Sequence, residues 1–298
     1  MSKNLLDDFV GHTEHIMLNN IIVLKDGEKI AEYHWVPEIR QNQYSVSKSF
    51  TSTAIGLAIG EGLLTLEDSV IDFFPDKVPD NPPERLQRLK VKHLLTMSMG
   101  HSQPYLMAEQ RYTMKDMDWV KYSLTLPLDY EPGIHFIYSN VGPYLAGMII
   151  KKLTNCNLLE YLMPRLFEPL GIWRPTWETD AKGNSFGSSG LMLTVSEIAK
   201  FGQLYLQKGQ WKGRQIIPVE WVNQVSKTQI KTGQVSPYNS EYSYLFWMGP
   251  NNSYRADGKF GQYSIIMPDK NGVVAINAYN TGQQNILDYV WKFIYPLI

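Results

Sequence analysis

Short apolar runs near both ends of the chain predict the strands of an antiparallel sheet. The β-branched run at 21–24 and the loose alternation at 30–35 enclose Asp26 and Gly27, a dipeptide typical of hairpin turns. Three runs near the other end have the same character: 242–248, 261–267 and 273–279. Because strands joined by short turns pair antiparallel, we expect one antiparallel sheet built from both ends of the chain.

Helical patterns fill most of the remaining chain. The segment 44–62 begins with hydroxyl residues and continues with small and apolar ones, which predicts a buried central helix. Between 65 and 180, prolines separate four helix-like stretches: 91–97, 114–124, 141–153 and 158–166. Three more helices are expected after that: 195–207, 218–226 and 286–294.

The expected fold class is therefore α+β, with an antiparallel sheet flanked by helices. We expect residues 1–64 and 181–298 to form an α/β lobe, and residues 65–180 to form a mostly helical inserted lobe. The 298 residues suffice for about two domains of about 150 residues. Both lobes would form one catalytic unit, with the site between them.

Composition narrows the possible functions. Hydrophobic residues make up 44% and charged residues 19% of the chain, which is typical of a globular protein. The 28 Lys and Arg residues balance 29 Asp and Glu residues, and this balance argues against a nucleic-acid partner. The early acidic residues and the lack of a long apolar run predict neither a signal peptide nor a membrane span. We therefore expect a cytoplasmic protein.

Ser45 and Lys48 are the first candidates for chemistry. Three positions apart on a helix, they lie on one face, one turn apart. Ser45 stands at the predicted helix start, where the helix dipole favours an alkoxide and disfavours a protonated lysine. A lysine in a buried cleft can lose its proton and then activate a serine as a nucleophile. Taken alone, the pair is more simply explained as a capping serine followed by a surface lysine.

Two later segments supply further candidate groups. Tyr138 and Asn140 alternate on an extended segment before a predicted helix, so their side chains can face one pocket. Residues 256–262 enter a predicted strand with Gly258 and Gly261, which let a ligand approach the backbone closely. Each segment also has a plain structural explanation: a polar loop in the first case, a hairpin or bulge glycine pair in the second.

Together and in this order, the motifs resemble those of the penicillin-recognising serine hydrolases. That family includes class C β-lactamases, D-Ala-D-Ala carboxypeptidases, related esterases and 6-aminohexanoate-dimer hydrolases. It carries Ser-x-x-Lys, then Tyr-x-Asn, then a motif of Lys-Thr-Gly or His-x-Gly type. The resemblance covers most of the chain and includes three supporting runs: 93–100, 131–133 and 190–194. It implies a β-lactamase/transpeptidase-like fold and an acyl-serine mechanism.

The resemblance also implies a role for each matching residue. Ser45 would be the acylated nucleophile, while Lys48 and Tyr138 would exchange its proton and pass one to the leaving group. Asn140 would hold Lys48 and touch the substrate. The backbone N–H groups of Ser45 and Lys259 would form the oxyanion hole. The other substrate-binding candidates are Asp257, Gly258, Gly261, Gln262 and His101.

The third motif departs from the family pattern. A literal Lys-Thr-Gly at 231–233 lies one strand too early, so we assign the motif to 256–258 and expect 231–233 to be a loop. Ala256 and Asp257 then replace the cation and the hydroxyl group with which relatives hold a substrate carboxylate. With Arg255 expected on the opposite face of the strand, Asp257 should repel acidic substrates and favour neutral or amine-bearing ones.

The sequence therefore predicts a serine hydrolase that cleaves an ester or amide through an acyl-serine intermediate. The alternative enzyme is a β-lactamase or D,D-peptidase. An alternative of another class is a penicillin-binding-like sensor that is acylated without turnover. We expect no metal and no cofactor, because the histidines lack ligand spacing and no glycine-rich phosphate loop occurs. The expected partner is a small ester or amide, with no nucleic acid and no membrane.

Overall fold

A large antiparallel sheet forms the centre of the molecule. The structure, a computed structural model, describes residues 5–115, 117–280 and 282–298. Its strands, in chain order, are β1 (Leu18–Lys25), β2 (Glu28–His34), β3 (Gln41–Asn42), β4 (Thr176–Trp177), β5 (Leu191–Leu193), β6 (Gln210–Trp211), β7 (Arg214–Gln215), β8 (Ile230–Lys231), β9 (Glu241–Tyr242), β10 (Trp247–Met248), β11 (Tyr254–Gly258), β12 (Gln262–Met267) and β13 (Gly272–Ala278). The main sheet has the order β2-β1-β13-β12-β11-β10-β9-β8, and a small sheet has the order β3-β5-β4. The predicted antiparallel sheet built from both ends of the chain is confirmed.

Helices cover the sheet and fill the middle of the chain. They are α1 (Asp7–His12), α2 (Val46–Gly60), α3 (Glu84–Gln87), α4 (Val91–Leu95), α5 (Ala108–Thr113), α6 (Trp119–Thr125), α7 (Val141–Thr154), α8 (Leu158–Leu162), α9 (Val195–Leu206), α10 (Val219–Val225) and α11 (Gln283–Tyr289). Both α8 and α11 continue into a π-helical turn, at Met163–Phe167 and Val290–Ile294. Within the described part of the chain, no helix is both long and apolar enough to cross a membrane.

The central helix α2 is buried along almost its whole length, as the sequence predicts. Gly56 explains how another helix packs so closely against it. A Cβ atom at Gly56 would lie 2.3 Å from the ring of Trp221 on α10, so any side chain there would force the helices apart. The close packing fixes α2 in the core, and with it the position of its first turn.

Apolar layers lie on both faces of the main sheet. Strand β12 alternates between them, because Tyr263 and Ile265 join the apolar cluster on one face and Ile266 joins the cluster on the other. The C-terminal helix and α1 cover the first face. Helices α2 and α9 cover the second face, and its cluster continues into the helices between 84 and 170. The division into lobes at 64 and 180 stays a prediction.

Two predicted elements differ from the structure. The single strand expected at 242–248 is interrupted, because Leu245 has a φ of 63° and its N–H donates to the Leu95 carbonyl at 3.0 Å. This bend turns Leu245 and Phe246 into the core and leaves two strands of two residues each.

The helix expected at 114–124 begins only at Trp119, where Asp118 caps it by accepting from the Lys121 N–H at 3.1 Å. Asp116, within that prediction, lies outside the described residues.

Candidate active site

Ser45 stands at the turn that leads into α2. Its side chain makes no capping bond to the helix, so the hydroxyl group is available for other contacts. Tyr44, the residue before it, has a φ of 46°, a left-handed conformation that is strained for a bulky residue. The Tyr44 N–H donates to Asn42 Oδ1 at 2.7 Å and supports this turn. Strain of this kind clusters at functional sites, where the surrounding structure holds it in place.

Lys48 is 1% exposed and lies one helical turn after Ser45. Its Nζ is 3.0 Å from Ser45 Oγ, 2.7 Å from Asn140 Oδ1 and 2.7 Å from the Ser188 carbonyl. The amide and carbonyl oxygens only accept hydrogen bonds, so both N–H groups of a neutral lysine are directed to them. The nitrogen lone pair then faces the Ser45 hydroxyl, which is the arrangement a general base needs.

Electrostatics favours this neutral form. Burial lowers the pKa of Lys48 well below its usual range, and the positive charge of Arg111 lowers it further. The amine therefore carries its proton less readily than a surface lysine does. The lowered pKa favours the neutral amine, which is the form that a base beside a candidate nucleophile needs.

Tyr138 is the second titratable group beside Ser45. Its phenol is hydrogen-bonded to the Ser45 side chain, and its ring centroid lies 5.0 Å from Lys48 Nζ. Trp247 stacks on the ring, with the centroids 5.7 Å apart and the planes 23° apart. Burial raises the pKa of Tyr138 above its usual range, against the opposing effect of the bond to Ser45. The phenol therefore keeps its proton at neutral pH and can donate it.

Asn140 connects Lys48 to the opposite wall of the site. Its Oδ1 accepts from Lys48 Nζ, and its Nδ2 donates to the Leu106 carbonyl at 2.9 Å. That second bond fixes which end of the amide faces the lysine, because a carbonyl can only accept. Asn140 stands at the start of α7 but makes no side-chain cap there, so its amide serves the site instead of the helix.

The third motif adjoins the Ser45 turn through β11. A Cβ atom at Gly258 would lie 2.3 Å from the Gln43 carbonyl, two residues before Ser45. The end of β11, and Lys259 after it, therefore run directly along the segment that enters α2. Gly261 has a φ of 95° and lies in the turn to β12.

The literal Lys-Thr-Gly match at 231–233 begins in β8, at the far edge of the main sheet. Its lysine is in a short strand rather than in the expected loop.

The expected orientation of Arg255 is wrong. Residues 255 and 257 are two apart on a strand and therefore lie on the same face. The guanidinium Nε lies 2.8 Å from Asp257 Oδ2, and the Arg255 side chain is only 3% exposed. Burial raises the pKa of Asp257, and Arg255 opposes that rise. The carboxylate at the third motif is thus neutralised by a partner, and the expected repulsion of acidic substrates loses its basis.

Two of the predicted substrate contacts, Gln262 and His101, are buried, and their contact with a substrate stays a prediction. Gln262 is 1% exposed, and its amide binds inside the protein, accepting from Gln41 Nε2 at 3.1 Å and donating to the Ala278 carbonyl. It therefore ties strands together. His101 is 2% exposed, and its Nδ1 lies 2.9 Å from the Pro127 carbonyl. It borders a small enclosed cavity beneath the Tyr138–Asn140 segment, where burial lowers its pKa.

An open cleft of about 690 Å³ lies beside the Ser45 turn. Aromatic and charged side chains share its lining: Tyr44, Tyr112, Trp177, Phe260, Glu109, Arg111, Glu178 and Lys259. Its size suits a small organic molecule. Among the described residues, no group of three His, Cys, Asp or Glu side chains is placed to hold a metal ion.

The sequence profile of the Beta-lactamase family matches residues 20–285. The chain belongs to the beta-lactamase family. The fold is similar to that of the octameric penicillin-binding protein homologue from Pyrococcus abyssi. That structure matches 99% of this chain and 78% of its own chain, with a TM-score of 0.81 and 21% identity.

Two curated proteins are similar in sequence. The 6-aminohexanoate-dimer hydrolase of Paenarthrobacter ureafaciens is 24% identical over 239 residues, which cover 74% of this chain and 60% of that protein. The lovastatin esterase of Penicillium rubens is 31% identical over 152 residues, which cover 43% of this chain and 37% of the esterase. In both alignments, the chain spans less than two thirds of the length of the curated relative.

Sequence reasoning missed several groups at this candidate site. Ser188 contributes a backbone carbonyl, which no side-chain motif can reveal. The nearby run at 190–194 indicates that this segment belongs to the site, but it does not single out the Ser188 carbonyl oxygen. Arg111 and Glu178 form an ion pair of 2.9 Å from distant parts of the chain, and nothing local in either segment signals it.

Proposed function

We propose that this protein is a serine hydrolase that cleaves an ester or amide through an acyl-serine intermediate. One observation carries the proposal. Lys48 Nζ lies 3.0 Å from Ser45 Oγ and bonds two obligatory acceptors, so the lone pair of the neutral amine faces Ser45. The beta-lactamase family and the names of the two curated relatives, a dimer hydrolase and an esterase, support the same reaction class.

In the acylation step, Ser45 Oγ forms a bond to the substrate carbonyl carbon as its proton moves to Lys48 Nζ. The bond from that carbon to the leaving oxygen or nitrogen then breaks. Tyr138 gives its proton to the leaving group and regains one from Lys48, so that no proton is gained or lost. The backbone N–H groups of Ser45 and Lys259 would bind the oxyanion, where each donor contributes about 10²–10³ in rate.

In the deacylation step, a water molecule replaces the leaving group and attacks the same carbonyl carbon. Lys48 takes up the water proton through Tyr138, which passes its own proton to Lys48 as it accepts the one from water. The bond from carbon to Ser45 Oγ then breaks, and Lys48 returns the proton to Ser45. The products are a carboxylic acid and the regenerated serine. Tyr138 suits both steps because it is hydrogen-bonded to Ser45 and keeps its proton at neutral pH.

A β-lactamase or D,D-peptidase activity is the second candidate, and the Arg255–Asp257 pair favours keeping it. With the Asp257 charge compensated, the third motif does not exclude a substrate carboxylate. Lys259 also lines the cleft and brings a positive charge to it. A sensor that is acylated without turnover remains the alternative of another class, and slow release of the acyl group would distinguish it.

The test is a panel of p-nitrophenyl esters, short amides and nitrocefin, combined with intact-mass detection of adducts. We expect a fluorophosphonate probe to label the wild type once and to leave Ser45→Ala unlabelled and inactive. Ser226→Ala, at a half-buried serine directly after α10, is the matched control and should behave as the wild type. Stoichiometric labelling of folded Ser45→Ala would refute the assignment. A stable adduct with no turnover on any substrate would favour the sensor.

A further inference from the structure

Two separate segments present the acceptors that orient Lys48. One acceptor is Asn140 Oδ1 at the start of α7, and the other is the Ser188 carbonyl before β5. The position of the lone pair depends on both acceptors staying in place. Any group that ties these two segments together therefore controls the geometry of the proposed base.

Arg111 supports the first segment through Leu106. The Leu106 carbonyl accepts from Asn140 Nδ2 at 2.9 Å and from Arg111 NH1 at 2.8 Å. Leu106 has a φ of 56°, so its carbonyl is held in a strained conformation that its neighbours must stabilise. By holding this carbonyl, Arg111 fixes the orientation of the Asn140 amide.

Glu178 supports the second segment. Its backbone carbonyl accepts from the Phe186 N–H at 2.8 Å, and its N–H donates to the Gly190 carbonyl at 3.1 Å. These two bonds bracket the residues that carry the Ser188 carbonyl. Gly190 packs directly against Glu178, since a Cβ atom at Gly190 would lie 2.2 Å from Glu178 Cβ.

The side chains of Arg111 and Glu178 join the two supports. Arg111 NH2 lies 2.9 Å from Glu178 Oε1, and the guanidinium carbon lies 4.2 Å from the centre of the Phe186 ring. We propose that Arg111 is a positioning residue for the proposed hydrolysis, which clamps both acceptors of Lys48 through Leu106 and Glu178. This inference rests on the proposed function, because it assumes that Lys48 is the base.

The charge of Arg111 gives the clamp a second effect. The titratable groups facing Lys48 are Arg111 and Tyr138, while Asp257 and Arg255 act on Tyr138. Ser45, Asn140 and Ser188 complete the surroundings as neutral groups. Tyr138 is neutral at working pH, so Arg111 is the cation that favours deprotonated Lys48. A purely structural residue would not have this effect.

The experiment compares Arg111→Met and Arg111→Lys with the wild type in ester hydrolysis across pH. Arg111→Met should lower kcat at least about tenfold, since small misplacements of a catalytic group are costly. It should also move the acidic limb of the kcat/KM profile to higher pH, because Lys48 then holds its proton more tightly. Arg111→Lys keeps the charge but loses the two-armed contact, so kcat should fall while the limb stays near its wild-type position.

Arg165→Met is the matched control, because Arg165 also pairs with a glutamate, Glu61, and also covers an aromatic ring. It should change neither kcat nor the limb, and thermal unfolding would establish that each variant is folded. If Arg111→Met does not fold, Glu178→Gln carries the test. It removes the counter-charge of Arg111 and should move the limb to lower pH.

The outcomes separate this inference from the proposed function. A wild type that fluorophosphonate does not label at Ser45 overturns the proposed function, and this inference with it. A labelled and active wild type, with Arg111→Met indistinguishable from it in kcat and in the limb, overturns the clamp alone. A loss of kcat with an unmoved limb in Arg111→Met overturns the electrostatic half of the inference.

Discussion

Arg255 Nε and NH2 both lie 2.8 Å from the same oxygen of Asp257. The guanidinium also donates to the Tyr238 carbonyl and to Asn239 Oδ1, each at 2.8 Å. The cation is therefore fully engaged in a nearly dry environment beside the third motif. This pair links the stability of β11 to the charge at the third motif.

The first prediction concerns this pair. Arg255→Met should lower the free energy of unfolding by about 3–5 kcal/mol, because it leaves a buried carboxylate without its counter-charge. The loss should shrink as pH falls: burial raises the pKa of the unpaired Asp257, so the folded state binds the extra proton first.

Urea denaturation at several pH values provides the measurement. Arg255→Met combined with Asp257→Asn should destabilise the protein by less than the sum of the single variants, since neither ion is then left alone. Strict additivity, or a loss that does not depend on pH, would mean that the pair is too well hydrated to matter.

The second prediction concerns the two titratable groups beside Ser45. Lys48→Ala and Tyr138→Phe should each lower kcat by about 10²–10⁴-fold, the usual range for general acid–base groups. The double variant should lose much less than the product of the two effects, because the groups act as one proton relay. Steady-state kinetics on one p-nitrophenyl ester measures this, and full multiplicative loss would show that they act separately.

The third prediction concerns pH. Only neutral Lys48 can accept the Ser45 proton, and burial places the Lys48 pKa well below its usual range. Activity should therefore persist at neutral pH and fall as pH decreases through that lowered pKa. Lys48→Arg should be inactive throughout, because a guanidinium does not deprotonate. An acidic limb near the ordinary lysine value of about 10.4 would contradict the neutral-base assignment.

The fourth prediction distinguishes the two candidate third motifs. Gly258→Ala should lower kcat at least about tenfold, because its Cβ would lie 2.3 Å from the Gln43 carbonyl and displace the Ser45 turn. Gly258→Val should be worse. Lys231 lies at the far edge of the sheet, so Lys231→Ala should change activity less than about twofold. If Lys231→Ala is the damaging change, the motif belongs at 231–233 instead.

Elements that depend on a local pattern of residues are predicted well from the sequence. The helix that carries Ser45 and Lys48 follows from the composition of 44–62, and its burial is confirmed. The placement of Arg255 was wrong for a simple reason, because strand alternation puts it on the same face as Asp257. The roles of the Ser188 carbonyl and of the Arg111–Glu178 pair could not be predicted from the sequence. Both contacts form only when distant segments of the chain meet, and Ser188 contributes a backbone atom, which no residue motif reveals.

The strand order has a consequence for how the protein folds. Strand β13 lies between β1 and β12, and Leu18 pairs with Ala278, so the middle of the main sheet is completed by the last of the described strands. During synthesis, the β1 edge of the β1–β2 hairpin stays unpaired until residues 272–278 have left the ribosome. Contacts so distant in sequence are slow to form. Completion of the main sheet should therefore be a late event, and the unpaired edge of β1 is where aggregation would begin.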